Sequence, residues 1–306
     1  MAGVTQLLRK ADPGANGAQS ATGIERPRLG DEYLEWLERT WQGDTRELRE
    51  GRYLHQQGDL RQAFEGSTYW REVSTRLHDW ANDYSKQNEA LLFQGAPALP
   101  KLVNKPWESF LSRTWRENVH GNQNWPDPPP EGWWTPDNWF ERAWDIVRTR
   151  FVVRYMDGVR TVAENLVACA EERRFKRYAR IDQEAKQDGY YAFHVYVRQP
   201  FEVAAIDYDG KQGRGSLIEI QVMTSLAEVI SGLTHTYYEA RRVAGPAETP
   251  PLWDEESDEA DAITLSQQSS ALERRVWELR KRIRARTPVQ KSSRRARRST
   301  KRLRGG

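Results

Sequence analysis

The chain has 306 residues, 38% hydrophobic and 30% charged, which allows one large domain or two small ones around a sizeable core and leaves nowhere the run of about 18 apolar residues that a membrane span requires. A single cysteine, Cys169, excludes an intramolecular disulfide and suits a reducing cytosol. The formal net charge of +3 conceals a division: from Glu273 to Gly306 there are fifteen Lys and Arg against two Glu, a net +13, so the rest of the chain carries −10.

The N-terminal stretch MAGVTQLLRKADPGANGAQS lacks the continuous apolar run of a signal peptide, and the expected location is cytoplasmic. Residues 1–30, rich in Gly, Ala, Ser and Pro, read as disordered. From Asp31, Leu34, Leu37 and Trp41 have helical spacing, and Trp70, Val73, Leu77, Trp80 and Tyr84 repeat at alternating three and four residues, predicting helices that need a partner surface. Another helix is expected near Pro106, with Trp107, Phe110, Leu111 and Thr114 on its apolar side. HGNQNWPDPPPEGWWTP, from His120 to Pro136, reads as an irregular loop, followed by a short helix ending near Trp144.

In DIVRTRFVVRYM, Val147, Thr149, Phe151, Val153 and Tyr155 alternate with Arg148, Arg150 and Arg154, which predicts a strand with two different faces. A helix follows Asp157, with Val159, Val162, Leu166 and Ala170 as its stripe. The chain then returns as the strand YAFHVYV, turns through DYDGKQGRG and runs back as LIEIQVMT. Ser225 and Glu228 have capping-box spacing ahead of a helix reaching about Arg242. Helix, strand, helix, strand, strand, helix implies an α+β fold, a mixed β-sheet flanked by helices. An acidic, Pro-bearing linker leads to an amphipathic helix marked by Leu272, Val276, Leu279 and Ile283, a stripe that suits self-association or packing on the parent domain.

Several of these segments carry groups that a fold alone does not need. Period-two alternation places Glu219 and Gln221 on one face of LIEIQVMT, opposite Ile218, Ile220 and Val222; that face is either solvated or a site. Asp145 is a second carboxylate at a strand start, and two acids on neighbouring strands suit Mg²⁺ with phosphate. Lys105, Ser109 and Arg113, four residues apart, form either a polyphosphate rail or an ordinary solvated helix face. The segment AKQDGYYAFHVYV crowds Lys186, Gly189, Tyr190 and His194 around a strand entrance.

Together these segments resemble the synthetase domain of the RelA/SpoT family of (p)ppGpp synthetases, between about Pro100 and Arg242. Lys105-x-x-x-Ser109-x-x-x-Arg113 looks like the family's R-x-K-x-x-x-S-x-x-x-K, DIVRTR like D-I-x-G-x-R, KQDGYYAFH like K-x-N-G-Y-x-S-x-H, EIQVMT like E-I-Q-x-R-T, and His235 with Tyr238 like H-x-x-Y-K. The implied organisation is a disordered 1–30, a helical 31–99, a nucleotidyltransferase-like synthetase domain over 100–243, a linker over 244–263, and a helix with an Arg-rich tail over 264–306. The implied activity is transfer of the β,γ-pyrophosphoryl group of ATP to the ribose 3′-hydroxyl of a guanine nucleotide. On that resemblance Asp145 and Glu219 bind Mg²⁺ and serve catalysis, and Lys105, Ser109, Arg113 and Arg150 hold phosphates. Lys186, Tyr190, His194, Gln221 and His235 address the acceptor.

The sequence departs from those patterns at Val103 for the leading Arg, Arg148 for Gly, Asp188 for Asn, Met223 for Arg and Glu239 for Lys. Lost charges weaken phosphate contacts, so the acceptor stays open: some toxic small relatives modify the 3′ end of tRNA and others make adenosine alarmones. The +13 tail suits RNA, simple solubility or an intramolecular brake. A catalytically inactive nucleotide- or nucleic-acid-binding module is the rival class, and a neutralising antitoxin protein is an expected partner of an active enzyme. His55, His78, Asp79 and Asp83 faintly resemble the family's hydrolase ligands, but core or surface histidines are expected. Among the tryptophans, Trp139 and Trp144 are expected in the core, while Trp125, Trp133 and Trp134 stand either in the core or over a base.

Overall fold

A computed structural model describes residues 25–185, 189–206, 210–244 and 258–286. Its sheet is built on the alternation read from DIVRTRFVVRYM. The strands are β1 (Val103–Asn104), β2 (Val147–Val153), β3 (Ala179–Ala185), β4 (Tyr191–Ala204) and β5 (Lys211–Thr224), in the order β1-β2-β5-β4-β3. β2 and β5 run parallel and the other neighbours antiparallel, so the sheet is mixed and the fold α+β. Because directly paired residues share a face, register writes two polar rows across it. Arg148, Glu219, Tyr196 and Arg180 make one; Arg150, Gln221, His194 and Asp182 make the other. The intervening residues, including Thr149, Phe151, Ile220, Val222, Phe193 and Val195, are buried on the opposite face.

The helices are α1 (Asp31–Thr40), α2 (Glu50–Glu65), α3 (Thr68–Asn88), α4 (Trp107–Trp115), α5 (Trp139–Arg142), α6 (Met156–Glu171), α7 (Ser225–Ala244) and α8 (Asp258–Arg286). α6 covers the apolar face with Val159, Val162 and Leu166 fully buried, and Arg160 lies 5.2 Å above the Phe193 ring. α3 packs behind it, where the Tyr69 hydroxyl donates to Leu166 O at 3.2 Å and Trp70 meets Phe151 edge-on. The predicted α3 stripe is buried as expected except Trp80, which is half-buried. One cluster of buried side chains runs from Tyr33 and Leu37 on α1 to Val222 on β5, so the helices before residue 100 close the same core as the sheet. Arg26 donates to His120 O at 3.1 Å, anchoring the segment before α1.

Four local readings change. α2 escaped periodicity because its inner face carries Gln56 and Gln57, both buried, between Tyr53, Leu60 and Phe64. β3 has Ile181 as its one large apolar residue and is a charged edge strand. KQGRG belongs to β5 rather than to the turn, lengthening the hairpin. The cap of α7 is Thr224, whose hydroxyl accepts from Ala227 N at 3.1 Å; Ser225 instead reaches Val153 O and Gln94.

α8 is longer than its stripe predicted and starts inside the expected linker. Arg280 donates to Asp157 at 3.0 Å and lies 3.6 Å over Tyr155, and Arg284 bonds Asn88. The first part of the basic segment thus folds against the body, while 287–306 lie outside the described residues. Among the described residues no helix is long and apolar enough to cross a membrane.

Candidate active site

Lys105 does not sit on α4. Pro106, extended at φ −58 and ψ 150, caps the helix, and Lys105 N donates to Ile146 O at 2.9 Å, prolonging the β1–β2 ladder. The predicted four-residue rail therefore holds only between Ser109 and Arg113, yet Lys105 and Arg113 still converge. Lys105 Nζ donates to Asp145 Oδ2 at 2.7 Å and Arg113 Nη1 to Asp145 Oδ1 at 2.8 Å. Ser109 stands half-buried on α4 with its hydroxyl uncommitted among the described residues.

This corner is fixed from behind by α2. The Gln57 amide donates to Lys105 O at 2.9 Å and Ile146 O at 3.0 Å, and the Tyr53 hydroxyl donates to Lys105 O at 3.0 Å. Two carbonyls flanking the site are thereby satisfied by a helix that periodicity did not reveal. Burial pulls the Lys105 ammonium below its ordinary range, with Asp145 opposing and Arg113 and Arg148 adding to the fall. Burial raises the Asp145 carboxyl, but Lys105, Arg113 and Arg148 outweigh it and hold the group below its ordinary value. Three cations surround one carboxylate, which leaves a positive surplus at the corner.

The polar rows form the second part. His194 Nδ1 lies 2.7 Å from Glu219 Oε1, and Tyr190 OH lies 3.0 Å from His194 Nε2. A carboxylate only accepts, so the neutral tautomer carrying its proton on Nδ1 satisfies both contacts, with the Tyr190 hydroxyl donating to Nε2. Tyr196 reaches the same Oε1 at 3.5 Å; burial, then Glu219, raises its phenol, which stays a donor. Glu219 Oε2 meets only the Gln221 amide, at 3.3 Å, among the described residues. Gln221 in turn accepts from Arg150 at 3.0 and 3.1 Å.

Asp145, Lys105 and Arg113 are thus drawn together, as are Glu219, Gln221, Arg150, His194 and Tyr190. Arg148 links the groups, in register with Glu219 and acting electrostatically on Asp145. Lys186 lies outside the described residues, and His235 stands on α7 with its side chain outside them. Gly189, at φ +88, adopts a conformation suited to glycine, and a Cβ there would lie 2.5 Å from Gln267 N on α8.

Tyr196, Trp144 and Arg180 escaped sequence reasoning, although the partner of Glu219 across the β4–β5 hairpin was the signal. Trp144 is not in the core: its ring stands half-buried on the polar face, 5.6 Å from Tyr196 and 4.2 Å beneath Arg180. Trp139 is buried as expected. Trp125 and Trp134 resolve to packing, at 7% and 6% exposure, with Arg142 4.7 Å over Trp134 and Trp36 against both Trp125 and Trp133. His55 pairs with Asp59 at 3.7 Å on the surface of α2, and His78 is exposed on α3.

Among the described residues no three His, Cys, Asp or Glu side chains gather to cage a metal. Asp145 and Glu219 fit Mg²⁺ in the other common way, as one or two hard oxygen donors to an ion otherwise held by water and phosphate.

No protein-family model matches the chain, and no curated protein matches it. Among solved structures it is similar to small alarmone synthetase 1 from Bacillus subtilis, at 18% identity over 74% of this chain and 95% of that one, with a TM-score of 0.47. A GTP pyrophosphokinase family protein from Streptococcus pneumoniae is similar at 19% identity, 83% and 96% coverage and a TM-score of 0.44. Small alarmone synthetase 2 from Bacillus subtilis is similar at 14% identity, 72% and 97% coverage and a TM-score of 0.41.

Proposed function

We propose that this protein is a pyrophosphokinase that transfers the β,γ-pyrophosphoryl group of ATP to the ribose 3′-hydroxyl of a guanine nucleotide. The observation that carries the reading is register: the residues of three separate motifs meet on one sheet face, with Glu219 and Gln221 paired to Arg148 and Arg150 on one side and to Tyr196 and His194 on the other.

In this reading the 3′-oxygen attacks the β-phosphorus. The O3′–Pβ bond forms, the bond from Pβ to the oxygen bridging the α-phosphorus breaks, and AMP leaves with that electron pair. The hydroxyl proton passes to Glu219 Oε2, which among the described residues accepts only from the Gln221 amide, while His194 and Tyr196 hold Oε1. Lys105 and Arg113 exchange Asp145 for donor phosphate, Ser109 adds a donor, Arg150 balances phosphate charge, and Gln221 orients the acceptor. Asp145 and Glu219 would hold Mg²⁺, which would supply neutralisation of charge developing on the transferred group. Positioning and charge stabilisation suffice for such a transfer without a covalent nucleophile.

The test is incubation with γ-³²P-labelled ATP, Mg²⁺ and, separately, GDP, GTP, AMP or bulk tRNA, with Glu219→Gln as control. Label on GDP or GTP that disappears in the variant is the expected result. Label on tRNA or AMP moves the acceptor to another class. No label anywhere, with an active alarmone synthetase working alongside, overturns the reading in favour of a binding module.

A further inference from the structure

We infer that Arg148 is a substrate-binding residue that grips the donor's polyphosphate, supplying from β2 a guanidinium that the related sequence pattern carries on β1. The inference rests on the pyrophosphokinase reading and adds to it a residue at a position where that pattern has glycine.

Arg148 is half-buried on the site face, in register with Glu219 on β5 and with Val103 on β1. Its charge bears on both Lys105 and Asp145. Lys105 and Arg113 hold Asp145, Arg150 holds Gln221, and Arg180 lies 3.0 Å from Asp182. The Arg148 side chain makes no hydrogen bond and no ion pair among the described residues. A guanidinium partly removed from water without a counter-ion is costly, and the nearest carboxylates are already engaged, Asp145 by two cations and Glu219 by His194. A phosphate placed between them meets that need and absorbs the surplus of three cations over one carboxylate.

The strand ladder gives the second argument. Val103 stands where the R-x-K pattern has Arg, and Arg148 where D-I-x-G-x-R has Gly. Antiparallel pairing puts these two positions directly opposite, on one face, where Cβ atoms stand about 5 Å apart. Val103 is 48% exposed, so the place vacated on β1 is open. The two departures, separate in sequence, are one relocation in space.

Isothermal titration of the full chain with Mg²⁺ and α,β-methylene-ATP, at low and high salt, tests this. Arg148→Gly and Arg148→Gln should each weaken binding about 10- to 100-fold and flatten its salt dependence. Val103→Arg combined with Arg148→Gly should recover most of the loss, a rescue that a merely structural arginine would not give. Lys105→Met separates the two claims. If it weakens binding while both Arg148 variants bind like wild type, the role of Arg148 is overturned and the phosphate corner stands. If neither residue matters, the pyrophosphokinase reading falls with it. Loss without rescue overturns the relocation. Thermal unfolding of each variant, with Arg148→Gln keeping the side chain's bulk, separates loss of binding from loss of folding.

Discussion

On the side of the sheet that α6 covers, Thr149, Phe151, Ile220, Val222 and Val195 pack into the common core, and each is at most 3% exposed. One residue along the same strands, Arg148, Arg150, Glu219, Gln221 and His194 face the other way, and all but Arg148 have a named polar partner. The apolar side spreads its contribution over many interchangeable contacts, so it tolerates repacking and resists deletion of volume. The polar side depends on individual atoms, so it tolerates almost no change of chemistry and contributes little to stability.

Substitutions that act on one side only can break that contrast. Glu219→Gln should lower turnover about 1,000-fold, equivalent to about 4 kcal/mol of barrier, while moving the unfolding free energy by less than about 1 kcal/mol. Phe151→Ala should do the reverse, costing about 3–4 kcal/mol in chemical denaturation and leaving turnover per folded molecule within about twofold. Equal damage to both quantities by either variant would show that the faces are not separable.

Asp145→Asn sharpens the boundary between the two, because it leaves Lys105 buried beside an uncharged partner; a loss of about 2 kcal/mol is expected at pH 7. The native carboxyl titrates below its ordinary 3.8, so its contribution is complete above that value and fades as pH falls through the lower folded one. The deficit of the variant should therefore shrink as pH falls below 3.8, as followed by urea titration. The smallest effect is expected from Gln57→Leu, about 1.5 kcal/mol, since Tyr53 still serves Lys105 O and Lys105 N still serves Ile146 O when the Gln57 amide is lost. Its turnover should fall as well, because that amide sets the site from behind.

How much of this was legible follows the same division. Strands β2, β4 and β5 and helices α3 and α6 were readable because their apolar residues repeat at one period. α2 and β3 were not, since buried amides replaced α2's stripe and an edge strand needs few apolar residues. On the polar face, Glu219 and Gln221 could be paired by alternation within one strand. Tyr196 and Arg148 required the register between strands, which local sequence does not encode. Lys105 was expected on a helix and stands instead on the strand ladder: its bond to Ile146 aims it at Asp145.

The sheet order has a consequence for the order of events during synthesis. β5 is the last strand made, yet it sits centrally, between β2 and β4. Glu219 stands in register with Arg148, 71 positions earlier in the chain. At ribosomal rates of about 5–20 residues per second, that span takes roughly 4–14 s to emerge. Throughout that interval the nascent chain holds Asp145 and its cations without the carboxylate that completes the site. Insertion of β5 is then a single event that closes the core on one side and completes the polar rows on the other, so a chain ending before residue 219 lacks the middle of those rows.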